Sequence, residues 1–238
     1  MKKMTKFFAL ALLAGAMVSC STEDIAPSTQ NDKVAVQFTG GISVNTRAAG
    51  VAWADGDRIG IFMTEAGKTL SADVIKEGVD NVCYQSNGSI AFSPVSGGKT
   101  VFFPIDGDVD FYSYYPQTTV NDYKVALDVT DQTKQETIDF MYAKTEGCNK
   151  ATPQVDLKFF HKLSNLILDV QPGNGLTQED LKKMTVTVKG QNTKATFNLV
   201  DGTISGEETP ADITMKTTEA GKLYEAILLP TEEASRVI

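Results

Sequence analysis

The sequence predicts an all-β fold of the sandwich type, and three observations carry the prediction. From Val34 onward apolar residues mostly alternate with polar ones, glycine and Asp-Gly pairs interrupt them at short intervals, and helical spacing is confined to two brief stretches. Val34, Val36 and Phe38 form the first alternating run, and Ile59, Ile61 and Met63 the next. Tyr123, Val125, Leu127 and Val129 follow, then Val155, Leu157 and Phe159. Met184-Val186-Val188, Phe197-Leu199 and the segment Leu223 to Leu229 complete the series. A strand repeats every two residues, so each set lies on one face of its strand. Turn residues fall between the runs at Asp55-Gly56, Asn87-Gly88, Gly97-Gly98, Asp106-Gly107, Gly173-Asn174-Gly175 and Asp201-Gly202. Ser71 to Glu77 and Thr177 to Lys183 read as connector helices; the second starts with a threonine cap and has Asp180 three residues on.

A chain of 238 residues exceeds the usual size of one domain, which predicts two cores. The stretch Lys144 to Pro153 holds Gly147, Asn149 and Pro153 between two alternating segments, and it is the expected boundary. Domains are therefore expected over 34–152 and 153–238. The second span is shorter than the roughly 100 residues of a seven-strand sandwich. That shortfall predicts an incomplete second domain, less stable than the first, in a chain that does not polymerise by itself.

The amino terminus sets the compartment. Lys2, Lys3 and Lys6 precede an apolar run from Phe7 to Val18, the pattern of a secretory signal over residues 1–19. Roughly 20 apolar residues are needed to span a bilayer, and this run is shorter. Met17-Val18-Ser19-Cys20 resembles a lipobox, making Cys20 the candidate for lipidation; an ordinary signal peptide cut elsewhere is the alternative. Residues 20–33 are polar and read as a flexible tether. Glu23 and Asp24, just behind the cysteine, are similar to signals that send lipoproteins to the outer face, so the expected location is the outer membrane and cell surface.

The formal net charge is −8, with 30 acids against 22 bases, and removing residues 1–19 strips three lysines more. Such a body does not suit a nucleic-acid phosphate backbone. With one histidine and three widely spaced cysteines, no metal-ligand spacing is present and no cofactor is implied. Cys83 and Cys148 either pair as a disulfide or remain buried thiols; spacing does not choose between them.

Chemical motifs are sparse. His161 lies in Phe159-Phe160-His161-Lys162-Leu163, an apolar strand, and reads as a histidine bonded to backbone rather than a catalytic base. Asp106, Asp108 and Asp110 fail the calcium-loop test, because its sixth and twelfth positions hold Phe111 and Gln117. The aromatic stretch Phe111-Tyr112-Ser113-Tyr114-Tyr115 reads as cross-strand packing, with stacking on sugars as the functional alternative. No catalytic residue is assigned.

Several segments in order resemble the fimbrillin family of pilus subunits. They are Val36-Gln37-Phe38, Thr46-Arg47, Trp53 with Gly56 to Met63, Asp110 to Pro116, Val155 to Ser164, and Leu176 to Val188. The resemblance implies two transthyretin-like Greek-key sandwiches and a non-enzymatic role in a cell-surface pilus. It further implies that an arginine-specific protease cuts after Arg47, leaving Ala48 as the new start, and that a strand from a neighbouring subunit fills the groove so opened. The implied partners are other pilus subunits, the lipid held by Cys20, and a host or bacterial surface ligand. A monomeric glycan-binding surface lipoprotein is the competing reading.

Overall fold

A computed structural model describes residues 33–43, 52–206 and 209–230. The signal segment, Cys20, Arg47, Ala48 and all of the tether except Lys33 lie outside the described residues. In chain order the strands are β1 (Gln37–Ser43), β2 (Asp55–Glu65), β3 (Val82–Asn87), β4 (Ala91–Pro94) and β5 (Val109–Tyr115). Next come β6 (Lys124–Asp128), β7 (Met141–Cys148), β8 (Gln154–His161) and β9 (Ser164–Asp169), then the helix α1 (Gln178–Leu181). β10 (Thr187–Asn192), β11 (Lys194–Asn198), β12 (Thr203–Gly206), β13 (Pro210–Thr214), β14 (Lys216–Glu219) and β15 (Leu223–Leu228) follow.

The all-β expectation holds, and the arrangement of the first strands differs from two facing sheets. Seven strands close edge to edge in the order β1-β4-β3-β2-β5-β7-β8. Closure depends on β1, which pairs antiparallel with β4 and parallel with β8 and so joins two strands that would otherwise be edges. The remaining strands form the sheets β12-β11-β6, β14-β15-β9 and β10-β13.

The break expected at 152/153 falls in the turn between β7 and β8, which are paired neighbours, and Lys144 to Cys148 belong to β7. β8, from the second expected domain, runs along the whole of β1, while β6, from the first, pairs with β11. All described residues lie in one compact unit. Two cores are nevertheless present, on opposite faces of a shared wall. Ile59, Ile61, Met63, Phe111 and Met141 point into the barrel with Phe38, Val155 and Phe159. Phe62, Tyr112, Tyr114 and Tyr142, on the same wall strands, point outward into a second cluster with Phe197, Leu199, Ile213 and Tyr224. β5 is buried at all seven positions because it has core on both sides.

Of the two expected helices, α1 carries the capping box read from Thr177 and Asp180, with both reciprocal bonds formed. Ser71 to Glu77 holds only a 3-10 turn over Ala72–Val74, and the Ser71 side chain makes no cap bond. With Val74 and Ile75 as its only large apolar residues, this segment has too narrow an apolar stripe to hold a longer helix against the core.

Candidate functional site

β1 is the strand that the family resemblance implies is released, and the structure defines the slot it occupies. Its register with β8 runs from Gln37 opposite Gln154 to Ser43 opposite Phe160, and β4 covers its other edge at Phe38 and Thr39. The Gly40 N–H extends that second contact by donating to the Ile90 carbonyl at 2.7 Å. Beyond Gly40, β4 has ended, and a surface cleft of about 540 Å³ opens beside Gly41, Ile42 and Ser43. A second cleft of about 370 Å³ flanks the start of β1 against Ala91 to Pro94.

Alternation sends Val36, Phe38, Gly40 and Ile42 inward. Val36 and Phe38 are buried, and Ile42 is half-buried at the rim of the core. The Phe38 ring meets Tyr84 and Phe111 edge-to-face, both at 5.1 Å. Tyr84 is itself fixed, since its hydroxyl accepts from the Val101 N–H at 2.8 Å, and burial raises its pKa. On the outer face the Thr39 hydroxyl donates to the Asp156 carboxylate directly opposite. Asp156 also accepts from Gln154, and these bonds lower its pKa.

Gly40 has a different neighbour. Where a side chain would enter the core stands Trp53, whose indole N–H donates to the Gly40 carbonyl at 2.7 Å. Trp53 packs edge-on against Phe92, Phe159 and Tyr115 at 5.0, 5.1 and 5.4 Å. The adjoining loop is latched by Asp57, which accepts from the Ala54 N–H at 2.7 Å and lies 3.0 Å from the Tyr115 hydroxyl. Burial, and then Asp57, push the Tyr115 pKa up, so the phenol stays protonated and the latch holds at physiological pH. The sequence reading singles out Trp53 but not its contact with Gly40, because that contact is tertiary; the Gly40-Gly41 pair inside an alternating strand is the available signal, since strand glycine often marks close approach.

The other singled-out residues fall elsewhere. Cys83 and Cys148 carry free thiols, and the register explains why pairing is excluded. Cys83 on β3 stands opposite Gly60, which stands opposite Tyr114, which stands opposite Tyr142, and Cys148 lies six residues further along β7. Three strand spacings and six residues amount to well over 14 Å, whereas a disulfide needs Cα atoms within about 7 Å. Burial raises both thiol pKa values, that of Cys148 to about 11.

Sugar stacking by the aromatic stretch is overturned, because Tyr112, Tyr114 and Tyr115 are buried. The Tyr114 hydroxyl lies 2.8 Å from Asn81 Oδ1 and 2.7 Å from the Thr118 carbonyl, and burial pushes its pKa up to about 12. Asp110 is committed to backbone: its two carboxylate oxygens accept from the Gly67 and Gly147 N–H groups, each at 2.8 Å. His161 bonds to a carboxylate rather than to backbone, with Nδ1 2.8 Å from Asp139 Oδ1, while its Nε2 is buried and faces no partner. Among the described residues no group of three His, Cys, Asp or Glu side chains is placed to hold a metal ion.

Comparison with known proteins matches the chain to a family. Residues 46–238 match the fimbrillin-like family profile. A candidate fimbrium subunit of Bacteroides uniformis, Fim1C, is 37% identical over 204 residues, covering 81% of this chain and 64% of its own length. The chain thus spans less than two thirds of that relative. The crystal structure of a candidate cell adhesion protein from Bacteroides uniformis superposes with a TM-score of 0.70 at 32% identity, covering 87% of this chain and 77% of that one. A second, from Bacteroides ovatus, gives 0.64 at 26% identity, covering 83% and 78%. On the profile match and the shared identity, the chain belongs to the fimbrillin-like family.

Proposed function

We propose that the protein is a structural or adhesive subunit of a cell-surface fimbria, exported to the outer membrane as a precursor anchored through lipidated Cys20, then trimmed between Arg47 and Ala48 and joined to its neighbours by strand addition. The observation that carries this reading is the position of β1. Among the described residues it is the only strand ahead of Arg47, and it closes the barrel between β8 and β4. A cut after Arg47 leaves β1 attached by noncovalent contacts alone. Its departure exposes the backbone donors and acceptors of two edges, together with the pockets of Phe38 and Val36. An incoming strand with alternating apolar residues replaces both sets of contacts, the usual chemistry of strand addition. The names of the matched fimbrium and cell adhesion proteins support the same role. In this reading residues 34–152 supply β1 and residues 153–238 supply β8 beside it, and both spans contribute to the second core.

Treatment with an arginine-specific protease, followed by mixing with fellow subunits, should yield molecules that begin at Ala48 and a ladder of detergent-resistant oligomers. Surface-derived protein in which every molecule starts at Cys20 would overturn the trimming step. A Cys20→Ala variant should accumulate as a precursor without labelled fatty acid; undiminished acyl labelling would remove the anchor from the proposal.

A further inference from the structure

The geometry points to a gauge for the incoming strand: the β1 slot accepts only an extended segment of a second polypeptide that presents glycine at the register of Gly40, between apolar residues two positions to either side. This rests on the strand-addition reading and names the partner's sequence class. A Cβ placed on Gly40 falls 2.6 Å from Phe92 Cε2 and 3.3 Å from both Phe159 Cε2 and Trp53 Nε1. These rings are packed on one another, with Trp53 touching Phe92, Phe159 and Tyr115 at once and all four buried, so a Cβ there displaces them together. The gauge also stays in place after a cut at Arg47. Trp53 lies on the body side of the cut, and the Asp57 bonds to Ala54 and Tyr115 hold its loop without help from β1. Its indole N–H then faces the occupant's carbonyl at that register and makes the same bond that Gly40 accepts now. The neighbouring Gly41 is exposed, and a Cβ there meets no atom within 4 Å, so the selection acts at one position rather than on glycine content.

Trp53 is the single tryptophan of the chain, and its emission therefore reports occupancy of the slot. The test uses the full chain nicked at Arg47 and three synthetic peptides spanning Val34 to Ser43: the parent, Gly40→Val and Gly41→Val. The parent and Gly41→Val peptides should displace β1 with equal affinity, and Gly40→Val should bind at least about tenfold more weakly, the scale set by overpacking a core. In the intact, uncut chain, Gly40→Val should expose the β1 amides to hydrogen exchange and shift Trp53 emission to the red, while Gly41→Val should do neither. Equal tolerance of valine at the two positions, in peptide or in chain, overturns the gauge. A parent peptide that cannot enter the nicked protein overturns strand addition instead, and the intact-chain pair then decides the gauge alone.

Discussion

The side chain of Gln132 pairs with the main chain of Ile227 as a neighbouring strand would. Its Oε1 accepts from the Ile227 N–H at 2.8 Å, and its Nε2 donates to the Ile227 carbonyl at 2.9 Å and to Val129 at 2.6 Å. β14 covers β15 only as far as Glu225, so beyond that point this edge of β15 would lie open at Ile227. Gln132 is buried and closes it. Replacing Gln132 with Ala takes the side-chain partner from three backbone groups and should cost about 2–4 kcal/mol. Gln132→Glu, which sets a carboxylate against two carbonyls, should do no better. Urea unfolding followed by circular dichroism measures both.

Asp110 supports a different irregularity. Between β5 and β7 the register passes from Val109 opposite Cys148 to Phe111 opposite Thr145, so β7 carries one extra residue at a bulge. The Gly147 N–H, turned out of the ladder there, donates to Asp110 instead, and the second carboxylate oxygen holds the Gly67 turn. Asp110→Ala should lower stability by about 3 kcal/mol, since two donors to a charged acceptor lose their partner. Added calcium should not move the melting temperature of the native chain, because that carboxylate is already committed; a clear calcium-dependent rise would contradict the assignment.

The cysteine assignment can be checked without mutation. Unfolded in denaturant with no reductant present, the chain should expose both Cys83 and Cys148 to alkylation, with one label on each of their peptides by mass. In the native state Cys148 should react slowly at pH 8, because its thiol sits well above that pH and is partly buried. A linked peptide pair carrying both cysteines would refute the register argument.

These residues also show what the sequence makes legible and what it hides. The run Val155-Leu157-Phe159 announces its strand because one face meets core and the other does not, whereas Ile59-Ile61-Met63 is legible only through its spacing, since β2 is buried on both faces from Ile59 to Thr64. β5 has core on both sides, and its apolar and aromatic residues, interrupted only by Asp110 and Ser113, lack the alternation that identifies a strand face. β7 ends in Glu146-Gly147-Cys148, where the bulge bound by Asp110 imitates the composition of a linker, and a domain boundary is read where a strand continues. Cys20 is an expectation from local pattern and Arg47 one from the family resemblance, and both lie outside the described residues. The contact of Gly40 with the Trp53 ring has no such signal, because a loop outside the strand supplies the ring that fills the glycine's missing side chain.

His161 provides the pH dependence. Its imidazole is mostly buried beside Asp139, and the hydrogen bond to that carboxylate raises its pKa above the ordinary histidine value of about 6.5, with burial pulling the other way. A raised folded-state pKa means that the protonated form is favoured by folding. The associated stability is complete below about pH 6.5, where both folded and unfolded chains hold the proton, and is lost as pH rises through the folded-state value. The urea midpoint should therefore fall across the interval just above pH 6.5, and a His161→Gln variant should flatten that slope while Asp139→Asn shifts the titration downward. His161 is the chain's only histidine, so one imidazole proton resonance follows the transition directly. A folded-state titration midpoint below that of the unfolded chain would show that burial, not Asp139, governs the ring, and the stability would then change with pH in the opposite direction.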